Sequence, residues 1–167
     1  LELVKTIKGD ITEEEANGAL TFVVATKVTE DGTEVTKYLR ADGTLSDTEV
    51  KLTLADFTHD EGSDEYILKL ENIELGNYTV TETTKDVDGK DVTVTYKVNG
   101  GEAADGDAAD FAIENGEATT VEFQNDYEDA FEKKVLRVDP RTQEPLSGAV
   151  IQLLDEEGNV LKEWTSS

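Results

Sequence analysis

Between residues 19 and 127 the chain keeps returning to a two-residue alternation of apolar and polar side chains, and turn dipeptides interrupt it. Val50, Leu52 and Leu54 alternate with Lys51 and Thr53, and Val92, Val94, Tyr96 and Val98 alternate with Thr93, Thr95 and Lys97. A period of two places one set on each face of a strand, so each run has one face to bury. Asp31-Gly32, Asp42-Gly43, Asp88-Gly89 and Asn115-Gly116 punctuate the runs, and such pairs suit tight hairpin turns. Residues 19–28, ALTFVVATKV, are apolar and β-branched, the composition of a central strand. Short strands at regular spacing predict an all-β sandwich. Helix is expected to be nearly absent. The acidic stretch 10–17 reads as a loop, and 99–110, rich in Gly, Ala and Asp, reads as a mobile one.

After residue 127 the pattern restarts. Residues 1–127 read as one domain, 128–134 as a charged linker, and 135–167 as the opening of a second domain. Strands are expected at 135–139, 149–155 and 160–165, with Trp164 in that domain's core. A piece of roughly 33 residues is too short to bury a sandwich core alone, so the second domain is read as truncated. With Leu1 in place of a starting methionine, the chain is expected to be an excised or processed piece.

Charge and cysteine content narrow the function. The formal net charge is −24, from 39 acids against 15 bases. Such a field repels nucleic acids and anionic membranes, so neither is expected as a partner. With no cysteine, disulfides, thiolate metal sites and cysteine nucleophiles are excluded. No run approaches the ~18 apolar residues that a membrane-spanning helix needs, so no membrane contact by these residues is expected.

One acid does not fit a plain sandwich. In GNYTVTETT, residues 76–84, Tyr78, Val80 and Glu82 share one strand face. If the first two point into a core, so does Glu82. An unpaired carboxylate in an apolar interior is costly, so the acid must be neutral, paired, or moved to the rim.

Four stretches resemble known sequence patterns in the same order. Residues 66–84, YILKLENIELGNYTVTETT, are similar to the E-box region of collagen-adhesin B-type (CnaB-type) domains, where G-x-Y-x-V-x-E carries the acid. Residues 121–127, VEFQNDY, resemble the final strand of those domains, and residues 1–9, LELVKTIKG, their first. Residues 135–161 resemble the start of another such repeat, with its D-x-x-T-x-x-P-L-x-G-A signature. The resemblance implies an Ig-like, prealbumin-like β-sandwich that serves as a stalk or backbone-pilin module of Gram-positive surface proteins. It implies an extracellular, cell-wall-anchored location with the anchor outside these residues, and neighbouring domains of the same protein as partners. It also implies an intramolecular isopeptide bond between Lys5 and Asn125, promoted by Glu82.

Those residue types suit that chemistry. A lysine amine attacks a carboxamide only as the free base, and at a reference pKa of about 10.4 it is almost wholly protonated at neutral pH. Burial between two sheets lowers that pKa and raises that of a neighbouring carboxyl. A neutral Glu82 is expected to donate to the Asn125 side-chain oxygen and to carry protons to the departing ammonia. The bond that the resemblance implies would form once, without cofactor or metal, so no enzyme in the turnover sense is expected. Lys5 and Asn125 both follow the apolar parity of their strands, with Val4, Phe22, Tyr78, Val80, Val121, Phe123 and Tyr127 as surrounding walls. Lys8, at the opposite parity, is the alternative nucleophile, and a Lys5 that snorkels to the surface or an Asn125 that caps its strand gives no bond.

The remaining motifs are weaker. In the second repeat Arg137 stands where the family places its reactive lysine, and arginine stays protonated, so no bond is expected there. DVDGKD, 86–91, lacks most ligands of a calcium loop and reads as a hairpin turn, and DGDAAD, 105–110, is an acidic cluster of the same kind. His59 is the only histidine, which leaves neither a zinc site nor a hydrolase triad with a recognisable nucleophile motif. The alternative to a stalk is an adhesin domain that binds a host extracellular-matrix protein or glycan through loops such as 99–116. That segment has Phe111 as its one aromatic, a poor match to aromatic-rich binding faces.

Overall fold

The computed structural model describes residues 1–59, 62–130, 148, 150–154 and 160–165. The chain divides into two compact units, Leu1–Ala130 and Phe131–Ser167. In the first, the elements run β1 (Glu2–Gly9), α1 (Glu13–Ala19), β2 (Thr21–Glu30), β3 (Thr33–Leu39), β4 (Leu45–Ser46), β5 (Leu52–Thr53), β6 (Thr58–His59) and β7 (Glu65–Lys69). They continue with β8 (Gly76–Thr84), β9 (Lys90–Val98), β10 (Ala104–Asp105), β11 (Ala108–Ile113) and β12 (Thr120–Asp129).

Two sheets make an all-β, Ig-like sandwich. One has the order β10-β9-β12-β1-β7-β6; the other runs β11-β8-β2-β3-β4, with β5 also paired to β2. The alternation read from the sequence appears as alternating burial: on β12, Val121, Phe123, Asn125 and Tyr127 are buried while Asp126 is exposed. The core between the sheets holds Leu3, Phe22, Val24, Leu68, Tyr78, Val80, Val121 and Phe123, among others. Asp31 and Gly32, both with positive φ (49° and 77°), form the β2–β3 turn, where the positive-φ pair matches the twist of the two strands.

The pairing that matters most for function is non-local. First and last strands of this unit lie side by side and parallel, with Lys5 opposite Phe123 and Ile7 opposite Asn125. Parallel neighbours need a long crossover, and here nearly the whole unit supplies it. At the end of β1 the two backbones close up: a Cβ on Gly9 would sit 2.0 Å from the Tyr127 carbonyl oxygen, and Gly9 has φ +85°. Gly9→Ala therefore meets both a left-handed backbone and a main-chain clash. We expect it to lower the unfolding free energy by roughly 2–4 kcal/mol, read from denaturant midpoints.

Several expectations need correction. The alternating run at 50–54 is strand only at Leu52–Thr53, and Leu54–Asp56 close into a short 3-10 helix. Residues 13–19 are helix α1, not loop: Thr12 caps it, accepting from Glu15 N–H at 3.3 Å while the Glu15 carboxylate accepts from Thr12 N–H at 2.8 Å. Segment 99–110 is not a free loop. It contains β10, paired with β9, and the start of β11, whose Ala109 and Phe111 are buried against β8. Val4 faces away from the core and is only half-buried, because the inward parity of β1 belongs to Leu3 and Lys5.

In the second unit, β13 (Val150–Leu154) pairs antiparallel with β14 (Val160–Thr165). Trp164 is 45% exposed rather than core. Arg137, the strand expected at 135–139, and linker residues 131–134 lie outside the described residues.

Candidate functional site

Three strands deliver one polar cluster to the middle of this sandwich. Lys5 comes from β1, Asn125 from β12 beside it, and Glu82 from β8 in the facing sheet. Their exposures are 1%, 0% and 1%. The other buried polar side chains bond to nearby main chain: Thr26 donates to the Asn77 carbonyl at 2.7 Å, Thr119 donates to the Ala112 carbonyl at 2.9 Å, and Ser46 Oγ accepts from Thr48 N–H at 3.2 Å. Lys5, Glu82 and Asn125 instead find one another across the core.

Glu82 is the hub. Its Oε1 lies 3.1 Å from Lys5 Nζ and accepts from Asn125 Nδ2 at 2.7 Å, and its Oε2 accepts from Lys5 Nζ at 3.3 Å. The main chain of Glu82 is held as well, its N–H donating to the Asp107 carbonyl at 2.7 Å. Asn125 Nδ2 also donates to the Tyr127 hydroxyl at 3.3 Å, and Asn125 Oδ1 is buried with no hydrogen bond. The amide nitrogen is thus turned to Glu82, whereas the sequence had suggested the oxygen. The walls are aromatic: Lys5 Nζ stands 5.8 Å from the Phe22 ring centre, and Phe123 lies 6.2 Å from Phe22 and 5.9 Å from Tyr96.

This setting changes both ionisations. Burial lowers Lys5 from 10.5 to about 8, although the Glu82 charge and hydrogen bond pull the other way. Burial likewise raises Glu82 above the usual carboxylate range, against the opposing effects of Lys5 and Asn125. The two shifts bring the ion pair and the neutral pair, which hold the same number of protons, closer in energy.

An Asn125→Ala chain keeps the pair and lacks the carboxamide, so it exposes these ionisations to titration. Lys5 is expected to titrate near 8 by NMR of its side chain; a midpoint near 10.5 would mean a hydrated amine. The sign for stability follows. Lys5 has a folded pKa below its unfolded one, so its contribution is full above about 10.5 and lost as pH falls through about 8. Glu82 has a raised folded pKa, so its contribution is full below the unfolded value and lost as pH rises through the folded one.

The other sequence candidates have structural partners. His59 stacks on Tyr66 at 4.1 Å, with Nε2 2.8 Å from the Ser63 carbonyl oxygen. Stretch 86–91 forms the β8–β9 turn, closed by Lys90 N–H donating to the Val87 carbonyl at 3.0 Å. In 105–110, Asp107 pairs with Lys85 at 3.1 Å and Asp110 accepts from Thr79 at 2.5 Å. Lys8 lies at the exposed end of β1, away from the core. The sequence marks Tyr127 only as an apolar wall, whereas its hydroxyl belongs to the site; the N-x-Y spacing on one strand face is the signal for it.

No family model matches the chain, and no curated protein matches it. Among solved structures it is similar to the major pilin protein (T-13) from Streptococcus pyogenes, at TM-score 0.39 and 17% identity, over 76% of this chain and 45% of that one. It is also similar to a mutant of the major pilin from Streptococcus pyogenes, at TM-score 0.38 and 16% identity, over 75% of this chain and 47% of that one. The chain spans less than half the length of either.

Proposed function

We propose that the first unit is a CnaB-type structural module, a stalk or backbone-pilin domain of a Gram-positive surface protein, that crosslinks itself through a Lys5–Asn125 isopeptide bond with Glu82 as catalyst. The observation that carries this reading is the contact of one buried carboxyl oxygen, Glu82 Oε1, with both Lys5 Nζ and Asn125 Nδ2.

The chemistry balances within these three residues. With the pair holding one proton on Glu82, the free lone pair of Lys5 Nζ attacks Asn125 Cγ and a C–N bond forms. The Cγ–Nδ2 bond breaks, and Nδ2 leaves as ammonia. Glu82 supplies the proton that the departing nitrogen needs and takes up the one that Nζ loses, so it ends as it began. The fold supplies proximity, since the amine and the carboxamide are on adjacent strands of one sheet. The apolar walls keep the amine from being held as a hydrated ammonium.

Mechanically, the product ties the first strand to the last. A pull along the unit then loads a covalent bond in place of strand pairing, the service disulfides give other extracellular proteins. A tryptic digest tests the linkage: the bond should protect Lys5 from cleavage and join 1–8 to 98–133 as one branched peptide. Recovery of 1–5 and 98–133 as separate linear peptides would reject it.

A further inference from the structure

We infer that Tyr127 is a positioning residue for this reaction, its hydroxyl fixing which way round the Asn125 carboxamide sits. The inference rests on the isopeptide reading above and adds to it a residue that touches the leaving nitrogen.

The two ends of a carboxamide have nearly the same shape, and only its hydrogen bonds decide between them. Glu82 alone does not choose. As a carboxylate it accepts from Nδ2; as a neutral acid it can donate to Oδ1 instead. The choice is made two residues further along β12, on the same inward face. Tyr127 is 0% exposed, and its hydroxyl lies 2.8 Å from the Lys85 carbonyl oxygen. A carbonyl can only accept, so the single hydroxyl proton is committed there. Toward Asn125 the same oxygen can then only accept, and the group it faces, 3.3 Å away, must be the –NH2 end.

Turning the amide over would set Oδ1 against a hydroxyl lone pair in a dry interior. It would also leave the hydroxyl without its donor and move the leaving nitrogen away from Glu82. The anchor is firm, because Lys85 follows directly on β8 and its ammonium pairs with Asp107, whose carbonyl holds Glu82 N–H. Tyr127 thus keeps Nδ2 in contact with the acid that must protonate it.

The test is Tyr127→Phe, which keeps the ring and removes the hydroxyl. Pulse-labelled chains from cell-free synthesis are sampled over time, and the loss of one ammonia is followed by mass. One lost orienting hydrogen bond should slow crosslinking roughly tenfold. Phe111→Leu, a core truncation at the Tyr78 stack, controls for stability and should keep the wild-type rate. Equal rates for wild type and Tyr127→Phe overturn the inference, as does equal slowing by both variants.

A second readout needs no reaction. In a Lys5→Met chain the Asn125 side-chain amide should show slow exchange and proximity to the Tyr127 ring by NMR, and both should be lost on adding Tyr127→Phe. An amide unaffected by that change overturns the inference. A wild-type chain that never loses ammonia overturns the isopeptide reading instead, while the NMR comparison still decides the orientation.

Discussion

Asn125→Ala should lower the unfolding free energy of the first unit by about 5 kcal/mol. The bond it prevents would close a loop of about 120 residues, and a crosslink across a loop of that order restricts the unfolded chain by about 5 kcal/mol in the chain-entropy account. At the size of this unit that loss corresponds to a drop of roughly 15–20 °C in melting temperature. Truncating one small polar side chain explains little of it, since the Lys5–Glu82 pair stays in place. Calorimetry of the two chains side by side reads the difference. Matching melting temperatures would mean that no covalent tie joins β1 to β12.

Phe123→Ala should cost the fold about 3–5 kcal/mol, the usual range for deleting a buried aromatic ring. Phe123 is buried between Phe22 and Tyr96, and its backbone pairs with Lys5. The larger effect is chemical. With the ring gone, water reaches the amine, and its pKa moves from about 8 back toward 10.5. At neutral pH that shift removes roughly two powers of ten of free base, and crosslinking should slow in proportion. Phe123→Leu, which keeps most of the apolar volume, should fall between the two. A Phe123→Ala chain that still folds and crosslinks at the wild-type rate would show that desolvation is not what activates Lys5.

The parts of this architecture that were legible in the sequence are those carried by local period. β9 could be read because it alternates apolar and polar residues over seven positions, 92–98, and β8 and β12 because they do so over five each, 77–81 and 120–124; the parity of β8 put Glu82 among core residues. α1 was not legible: it is seven residues long, opens with three glutamates and buries only Ala16, so it has no apolar stripe. Of β11 only the end, 111–113, was legible; its start, 108–110, was hidden by its Ala and Asp composition, and the buried Ala109 and Phe111 hold the strand against β8. The parallel pairing of β1 with β12 joins residues about 120 positions apart, which no local pattern encodes. Resemblance supplied Lys5 and Asn125; parity was only compatible with them. The direction of the Asn125 amide depends on Lys85 and Tyr127, two residues brought together only by the fold.

The most direct test of the account is the intact mass of the purified chain. A Lys5–Asn125 bond sets the mass below that of the sequence by one ammonia, with the full sequence mass restored in Glu82→Ala and in Lys5→Ala. The variants are essential, because Asn-Gly pairs such as Asn115-Gly116 can also lose ammonia by attack of the following backbone nitrogen. A wild-type mass equal to the plain sequence, or a deficit that persists without Glu82, would contradict the crosslink. Glu82 would then be a buried acid paired with Lys5 and nothing more.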